Sequence, residues 1–530
     1  MKRTDGRPRY MFYHDGRHPL IYMYEPPMQK EEYEQAVDEL IGTPVEAIMF
    51  CLGDGRTVLH DTEVGELWGS PNEIWTHQIF RRAHQNAGHL IEEGNDPLRI
   101  VCERAHEKGF LLYPTLLVQQ GSGERGVDTR TSNFRLENKH LEIGAAGDLE
   151  LGPGNECLDF MHEEVREERF ALIAETLERY EVDGFELHMN YTPFYFRPDQ
   201  AEAGRKVMTA WIERVHGAVK SRPGAQGERE LVIRMDNSIE RNLERGLDLR
   251  AWVDAGIVDV LVPEDKGNIN SSSDFSAMAR LASGTDCRVH GCIAYGVDSD
   301  RLSGATIEMV RATATNYWRQ EIDGMYLTQW FTQWPYESDF YEQLREVVDP
   351  EVMAPRDKYY FVPTVGGRVE GEPEPAGRHR RLPVALDEGD TATVVFTISD
   401  ELARWDEVGR IHEVLLRVRI AGATELDSYG FALNGVDLPG EQLRKINRMY
   451  MLGAPRYRVG GYWFIYKLSR DFWPVAGENE LAVTVRRRDS KVTNQRLLRD
   501  VELETKYLKG KSFHRSFVDP DLGAFEGFVV

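Results

Sequence analysis

The sequence predicts a mixed α/β protein, a (β/α)8 TIM barrel followed by an all-β sandwich. Three observations support this fold class. Over roughly the first 350 residues, short apolar runs alternate with segments of helical periodicity. Near residue 362 a stretch rich in glycine, proline and charge interrupts the alternation, and only strand-like runs follow it. The predicted domains are a barrel at 1–360, a linker at 361–369, a sandwich at 370–515 and a tail at 516–530.

The predicted strands of the barrel are short runs rich in β-branched, aromatic and aliphatic residues. Eight of them alternating with helices favour a closed barrel over the alternative, a doubly wound open sheet. No GxGxxG motif follows the first run, so a dinucleotide-binding fold has no support. The runs are Arg9–His14, Val45–Cys51, Phe110–Val118, Gly184–Asn190, Leu231–Asp236, Val258–Glu264, Arg288–Tyr295 and Gly324–Trp330.

Helix signals stand between these runs. Phe170, Ile173, Ala174 and Leu177 recur at helical spacing, which gives the single apolar stripe that packing against a sheet requires. Asp96 before Pro97 and Asp274 mark helix starts, whereas Gly109 and Gly256 mark helix ends.

The C-terminal region carries alternating runs such as TATVVFTI, EVLLRVRIAG and YWFIYKL. Gly477-Glu478-Asn479 and Asn434-Gly435 resemble the turns of galactose-binding-like jelly rolls. That resemblance implies a domain that either binds sugar or braces the barrel, and the sequence leaves both roles open.

Charge and cysteine content exclude several classes of protein. The net charge of −24 argues against nucleic acid and anionic membranes as partners, since both require clustered basic residues. The five cysteines are widely spread without a CxxC pair, which excludes a disulfide framework or a zinc ribbon. The N-terminus lacks the apolar core of a signal peptide, so a cytoplasmic protein is expected. Homo-oligomerisation is left open, and neither a cofactor nor a metal is expected.

The most informative stretch ends in FELHMN, the fourth predicted strand. Side chains alternate along a strand, so Glu186, His188 and Asn190 share one face and should point into the barrel near the C-terminal ends of the strands, its mouth. A carboxylate, an imidazole and an amide are expensive to desolvate together. The pattern therefore predicts a functional site there.

The pattern ERY.VDGFEL followed by FYF.P resembles the glycosyl-hydrolase-like barrels described as family 10-type glycosylhydrolases. The run Ser132–Leu136 with His140, and Trp252 before a V-D-V-L strand, add to the resemblance, which covers about residues 10–350. It implies a TIM barrel that acts on carbohydrate. Two acids of such barrels are absent: His188 stands where they carry an aspartate, and Glu137-Asn138 stands in place of an Asn-Asp pair.

The remaining strand-end acids are the catalytic candidates. Glycoside hydrolysis needs two carboxylates, about 5–5.5 Å apart for a covalent intermediate and about 6.5–9.5 Å apart when a water fits between them. Glu186 and Glu264, two strands apart, suit the wider spacing, and Arg234 would separate their pKa values. Each acid could instead serve as a loop cap or in a salt bridge. The predicted catalytic residues are Glu186, Glu264, Asp236 and His188.

Polar and aromatic side chains around the predicted mouth are the candidates for substrate binding. Aromatic rings stack on the C–H faces of sugars, and amides and charged groups bond to hydroxyls, although local core packing is the alternative for each ring. His188, His290 and His140 could also meet to bind a metal, but no HxH or HExxH spacing supports this. The predicted substrate-binding residues are Arg135, Asn138, His140, Asn190, Tyr191, Arg234, Asp265, His290, Tyr295, Gln329, Trp330 and Trp334.

These observations together favour a glycoside hydrolase that uses carboxylate acid/base chemistry on an oligo- or polysaccharide, without an organic cofactor. Two alternatives stay open. One is a carbohydrate lyase or metal-assisted hydrolase with His188 as base. The other is a degenerate barrel that binds sugar without turning it over, which the missing acids favour.

Overall fold

The computed structural model describes residues 7–119, 126–150, 152, 154–225, 227–265, 267–297, 299, 302, 304–364, 382–447, 461–508, 518–519 and 523–524. Most of the predicted linker at 361–369 and of the predicted tail at 516–530 lies outside these residues. The chain forms two compact units, one of residues 1–269, 273–296 and 317–348, the other of 270–272, 297–316 and 349–530. Among the described residues, no helix has the length and apolar content that a membrane span requires.

The first unit contains the predicted closed barrel of eight parallel strands. Each strand pairs with the next, and the last pairs with the first, so that Phe12 lies between Ile48 and Leu327. The prediction of a TIM barrel is therefore confirmed. The strands are β1 Tyr10–His14, β2 Ala47–Asp54, β3 Leu111–Leu117, β4 Gly184–His188, β5 Glu230–Asp236, β6 Val260–Glu264, β7 Arg288–Ala294 and β8 Gly324–Thr328.

The helix boundaries follow the sequence signals. Asp96 accepts a hydrogen bond from the backbone N–H of Leu98 at 3.2 Å, and Gly109 and Gly256 end their helices at φ +82° and +65°. The α-helices are Lys30–Tyr33, Gln35–Asp38, Gln78–Glu92, Pro97–Lys108, Asn133–Glu137, Glu163–Arg179, Ala201–Lys220, Ile239–Glu244, Leu249–Asp254, Ser276–Ala282, Ile307–Trp318, Ser338–Glu346, Pro350–Met353 and Leu402–Glu407.

Two-residue alternation sorts the barrel strands into an outer and an inner face. Inner positions towards the strand starts are mostly apolar, with Met11, Leu111, Val232 and Val260 in one cluster. The interior is tightly filled there: a Cβ on Gly184 would come within 2.2 Å of the Tyr113 ring. Polar inner residues are concentrated nearer the mouth, where the strand-four site was predicted.

The second unit is a sandwich of two antiparallel sheets around an apolar core. One sheet has the order β9-β18-β12-β16-β15, with β10 also on β18, and the other has the order β11-β17-β13-β14. The strands are β9 Lys358–Phe361, β10 Val384–Leu386, β11 Thr391–Ile398, β12 Ile411–Ala421, β13 Ser428–Leu433, β14 Val436–Asp437, β15 Leu443–Asn447, β16 Tyr462–Lys467, β17 Gly477–Arg487 and β18 Arg496–Tyr507.

Two features of the sandwich can be compared with the predictions made from its sequence. Asn434 and Gly435, at φ +52° and +78°, form the tight turn between β13 and β14. Strand β9 pairs with β18, although its residues fall at the end of the predicted barrel domain and the start of the predicted linker. Four residues are too few to show an alternating pattern, so only the ladder with β18 defines this strand.

Candidate active site at the mouth of the barrel

Arg234, on β5, lies at the centre of a buried polar network inside the barrel. Its guanidinium is fully buried, with its carbon 4.6 Å from the centre of the Tyr13 ring and 5.0 Å from that of Tyr326. It donates hydrogen bonds to the Thr328 hydroxyl at 2.9 Å and to His188 Nδ1 at 2.8 Å. Arginine is the cation best suited to such a position, because it stays charged when buried and donates in several directions at once.

Glu186, on β4, is the innermost carboxylate of the network. It is 0% exposed, and its Oε1 lies 3.0 Å from Arg234 Nε. The Tyr326 hydroxyl donates to it at 2.8 Å, and the Thr115 hydroxyl donates to Oε2. Arg234 and the two hydroxyl groups therefore occupy both oxygens of Glu186, and these contacts hold Arg234 in place.

His188 joins the two ends of the network. Because arginine can only donate, Nδ1 of His188 accepts from Arg234, which places the ring proton on Nε2. That nitrogen in turn donates to Glu264 Oε1 at 2.9 Å. Burial, followed by the Arg234 charge, lowers the pKa of His188 below its usual value. His188 is therefore a neutral bridge with both nitrogens occupied.

Glu264, the last residue of β6, lies nearer the mouth than Glu186, the other carboxylate of the network. Its Oε1 accepts from His188 and from Asn190 Nδ2 at 3.2 Å. Its Oε2 accepts a weak hydrogen bond from Cys292 Sγ at 4.0 Å and lies 3.8 Å from an Arg234 nitrogen, and among the described residues it has no closer polar partner. Burial works to raise the pKa of Glu264, but His188, Arg234 and the hydrogen bonds outweigh it and lower the pKa to about 2. Glu264 is ionised at neutral pH.

The network contains more carboxylates than cationic groups. Two carboxylates, Glu186 and Glu264, face a single guanidinium, and the histidine between them is neutral. Charges interact more strongly in this buried setting than in water. The arrangement therefore favours a positive charge next to Glu264 Oε2.

Asp236 does not take part in this network, although it is level with Glu264 in the strand register. Its Oδ1 lies 2.6 Å from an Arg241 nitrogen, its Oδ2 lies 3.2 Å from an Arg245 nitrogen, and the Ser238 N–H donates to it. Of the four predicted catalytic residues, the structure brings together Glu186, His188 and Glu264. Asp236 instead anchors the start of the helix after β5.

Several predicted binding residues lie beside the network or on neighbouring strand ends. Tyr191 has its ring 5.8 Å from that of His188 and accepts from Arg130 at 3.3 Å. Asp265 accepts from Asn237 and Ser273. After β7 and β8, the ring centres of Tyr295 and Trp330 are 5.8 Å apart. Gln329 is half-buried and has a φ of +71°. The ring of Trp334 lies 6.0 Å from that of His18.

Four other predicted binding residues have different positions or contacts from those expected. Arg135 bonds to Glu142 at 3.1 Å and Asn138 to the Phe134 carbonyl at 2.8 Å, so both serve their own loop. His140 is exposed. His290 pairs with Gly324, the first residue of β8, and so lies towards the strand starts. The three histidines considered for a metal site are therefore not brought together.

Three hydroxyl groups that complete the network were not among the predicted site residues. These groups belong to side chains that point into the barrel from β3 and β8: Thr115, Tyr326 and Thr328. They follow the same two-residue alternation by which Glu186 and His188 were assigned to the inner face. Strand alternation alone could have found them. Asp54, at the end of β2, was also not predicted; its carboxylate lies 3.2 Å from an Arg17 nitrogen.

No family model and no curated protein matches the sequence. The fold is similar to that of a cycloisomaltooligosaccharide glucanotransferase from Paenibacillus sp. (9% identity, TM-score 0.36, 94% of this chain and 58% of that one). It is also similar to an alpha-L-fucosidase from Paenibacillus thiaminolyticus (12%, 0.42, 66% and 49%) and to an endo-beta-1,4-mannanase from Thermotoga petrophila (10%, 0.43, 94% and 98%). The chain spans about half the length of the first two, and at these values the likeness does not extend to activity.

Proposed function

We propose that the chain is a glycoside hydrolase acting on an oligo- or polysaccharide, with Glu264 as the carboxylate that meets the reacting sugar. One observation carries the proposal: an ionised carboxylate, Glu264, is held in place near the mouth, within a network in which two carboxylates face one guanidinium. Cleavage of a glycosidic bond develops positive charge on the sugar ring. A preorganised negative charge away from water stabilises that state without reorganising.

The role of Glu186 in this proposal differs from the acid or base role that its sequence position suggested. It acts as a positioning residue: its carboxylate holds Arg234 and accepts hydrogen bonds from Thr115 and Tyr326 inside the barrel. Arg234 in turn fixes the tautomer of His188, whose Nε2–H then orients Glu264. The chain of contacts sets both the position and the charge of Glu264.

The resemblance to family 10-type glycosylhydrolases agrees with this proposal at the level of substrate class. The half-buried rings of Tyr191, Tyr295 and Trp334 after β4, β7 and β8 could stack on sugar faces. Asn190 shares Glu264 Oε1 with His188, so it supports the carboxylate rather than the sugar.

A second candidate function, a sugar-binding barrel without turnover, is favoured by one feature of the same network. Hydrolysis also needs a proton donor for the leaving group. Glu264 is ionised, Glu186 accepts from two hydroxyls, and His188 has given its one proton to Glu264. None of the three offers a proton, so hydrolysis requires a donor outside the network. The lyase or metal-assisted alternative has less support, because His188 has no free nitrogen.

The test combines a substrate screen with one substitution. A panel of polysaccharides and aryl glycosides identifies the best substrate, and Glu264→Gln is then compared with the wild type. We expect kcat to fall by about 10²–10³-fold while affinity is retained, because the amide keeps the shape of the carboxylate but not the charge that stabilises the transition state.

Glu230→Gln is the matched control. Glu230 is also a buried barrel carboxylate beside an arginine, 2.6 Å from Arg288, but it lies at the strand starts. Its substitution should leave kcat within about twofold of the wild type. Unchanged turnover in Glu264→Gln would refute the role of Glu264, and binding without turnover across the panel would support the second candidate.

A further inference from the structure

A cluster of buried ligand-type side chains lies at the end of β1, outside the Arg234 network. His14 ends the strand, and Asp15 and His18 follow it in the first loop. Glu39 reaches them from the end of the helix Gln35–Asp38. His14, Asp15 and His18 are at most 4% exposed, and their ligand atoms lie within 4.8 Å of one another.

Four atoms at the centre of this cluster make no hydrogen bond to any described residue: Nε2 of His14, Nε2 of His18 and both carboxylate oxygens of Glu39. All are buried, where polar atoms without a well-formed hydrogen bond carry a substantial free-energy penalty. They converge nonetheless, with Glu39 Oε1 3.2 Å from His14 Nε2 and 3.3 Å from His18 Nε2.

These two distances fit the edges of a metal coordination polyhedron. Charge-assisted N–H···O bonds are shorter, about 2.7–2.9 Å. Ligands about 2.0–2.1 Å from a zinc ion lie about 3.3–3.4 Å apart at tetrahedral angles. The distances from Glu39 Oε1 to the two histidine nitrogens therefore match those between ligands of one ion.

The surroundings of the cluster match those of protein metal sites. Asp15 Oδ1 lies 2.7 Å from His18 Nδ1, which holds a proton on that nitrogen and leaves Nε2 as the nitrogen that faces Glu39. Phe50 stacks on His14 at 5.1 Å and Trp334 lies 6.0 Å from His18, so the rings form an apolar shell. Carboxylate–histidine pairs and such shells tune metal ligands.

We propose that His14 Nε2, His18 Nε2 and the Glu39 carboxylate bind one divalent transition-metal ion of the zinc class. Two imidazoles favour such an ion over magnesium or calcium, which prefer oxygen ligands. The site is independent of the proposed hydrolase function. It would tie the loop after β1 to Glu39 and its helix.

His14 is the weakest of the three ligands. The Gly16 N–H donates to its Nδ1 at 3.0 Å, which places the ring proton on Nε2 in the metal-free state. Binding at Nε2 must displace this proton and give up the Gly16 hydrogen bond. We therefore expect His14→Asn to weaken binding less than His18→Asn does.

The test uses full-length protein freed of metal with a chelator, with zinc titrated by calorimetry and cobalt followed by its visible absorption. We expect one ion per chain and a rise in Tm with zinc. Both should be lost in His18→Asn and in Glu39→Gln, which keeps the shape of the carboxylate. Asp15→Asn, which removes the charge that supports His18 and pairs with Arg17, should weaken binding by about 10–100-fold.

His106→Asn is the matched control. His106 also bonds to a carboxylate, that of Asp183 at 2.8 Å, but belongs to no such cluster. It should bind zinc as the wild type does. The proposal is overturned if the wild type binds no zinc at one ion per chain, if Glu39→Gln binds like the wild type, or if His106→Asn loses binding equally.

Discussion

Replacing Arg234 by methionine should strongly destabilise the barrel. Methionine keeps much of the arginine volume but leaves Glu186 and Glu264 buried without their cation. Removing one partner of a buried ion pair costs about 3–5 kcal/mol. His188 Nδ1 and the Thr328 hydroxyl also lose their donor, at about 1 kcal/mol each. The expected loss is thus about 5–7 kcal/mol, a large part of the roughly 5–15 kcal/mol that stabilises a typical domain.

The assay for this prediction is urea unfolding followed by circular dichroism and tryptophan fluorescence. Arg197→Met is the control, because Arg197 pairs with the exposed Asp148 at 2.8 Å and should contribute at most about 1 kcal/mol. Adding Glu186→Gln to Arg234→Met removes one of the stranded carboxylates and should recover part of the loss. If Arg234→Met is insoluble, recovery of soluble protein in the double variant reports the same coupling. A loss below about 1 kcal/mol in Arg234→Met would refute the reasoning.

Two further predictions concern acid stability and packing. Because the pKa of Glu264 falls from 4.5 to about 2 on folding, its carboxylate contributes about 3 kcal/mol above pH ~4.5, and this is lost as the pH falls towards 2. In Glu264→Gln the free energy of unfolding should therefore change less between pH 4.5 and pH 2 than it does in the wild type. Equal pH dependence in the two proteins would contradict the lowered pKa of Glu264. Gly184→Ala should cost about 1–3 kcal/mol, because the added Cβ meets the Tyr113 ring at 2.2 Å. Gly217 lies in a helix, and an added Cβ there would have no atom within 4 Å, so Gly217→Ala should raise the free energy of unfolding by about 0.5–1 kcal/mol, as measured by thermal unfolding. A Gly184→Ala variant as stable as the wild type would show that the barrel interior can rearrange to accept the methyl group.

The strands and the inward face of β4 could be predicted because both depend on local pattern. Side chains alternate along any strand, so the positions of Glu186 and His188 relative to Phe185 and Leu187 required no knowledge of the rest of the chain. Helix ends at Asp96 and Gly109 were likewise set by groups within a few residues of each other.

The roles of the site residues could not be predicted, because they depend on contacts between distant segments. Glu186 had the sequence signature of a catalytic acid, but Arg234, Thr115 and Tyr326 from three other strands occupy its oxygens. From the sequence, Asp236 was expected to face the mouth as Glu264 does. In the structure, Arg241 of the following helix pairs with its carboxylate.

The histidine cluster after β1 was missed for the same reason. His14 and His18 are four residues apart without a known metal motif, and Glu39 approaches them from a separate helix. Strand β9 was missed because its short sequence becomes a strand only through pairing with β18.

Binding of a cationic sugar mimic tests most directly whether the negative charge of Glu264 serves a reacting sugar. The measurement is calorimetric titration of an iminosugar, with the ring configuration of the best glycoside from the panel, against its uncharged polyol counterpart. The account predicts that the wild type binds the cation at least about tenfold more tightly, since 1.4 kcal/mol suffices for that factor. It also predicts that Glu264→Gln abolishes the preference while Glu230→Gln retains it. Equal affinity for the two compounds in the wild type, or an unchanged preference in Glu264→Gln, would contradict the account.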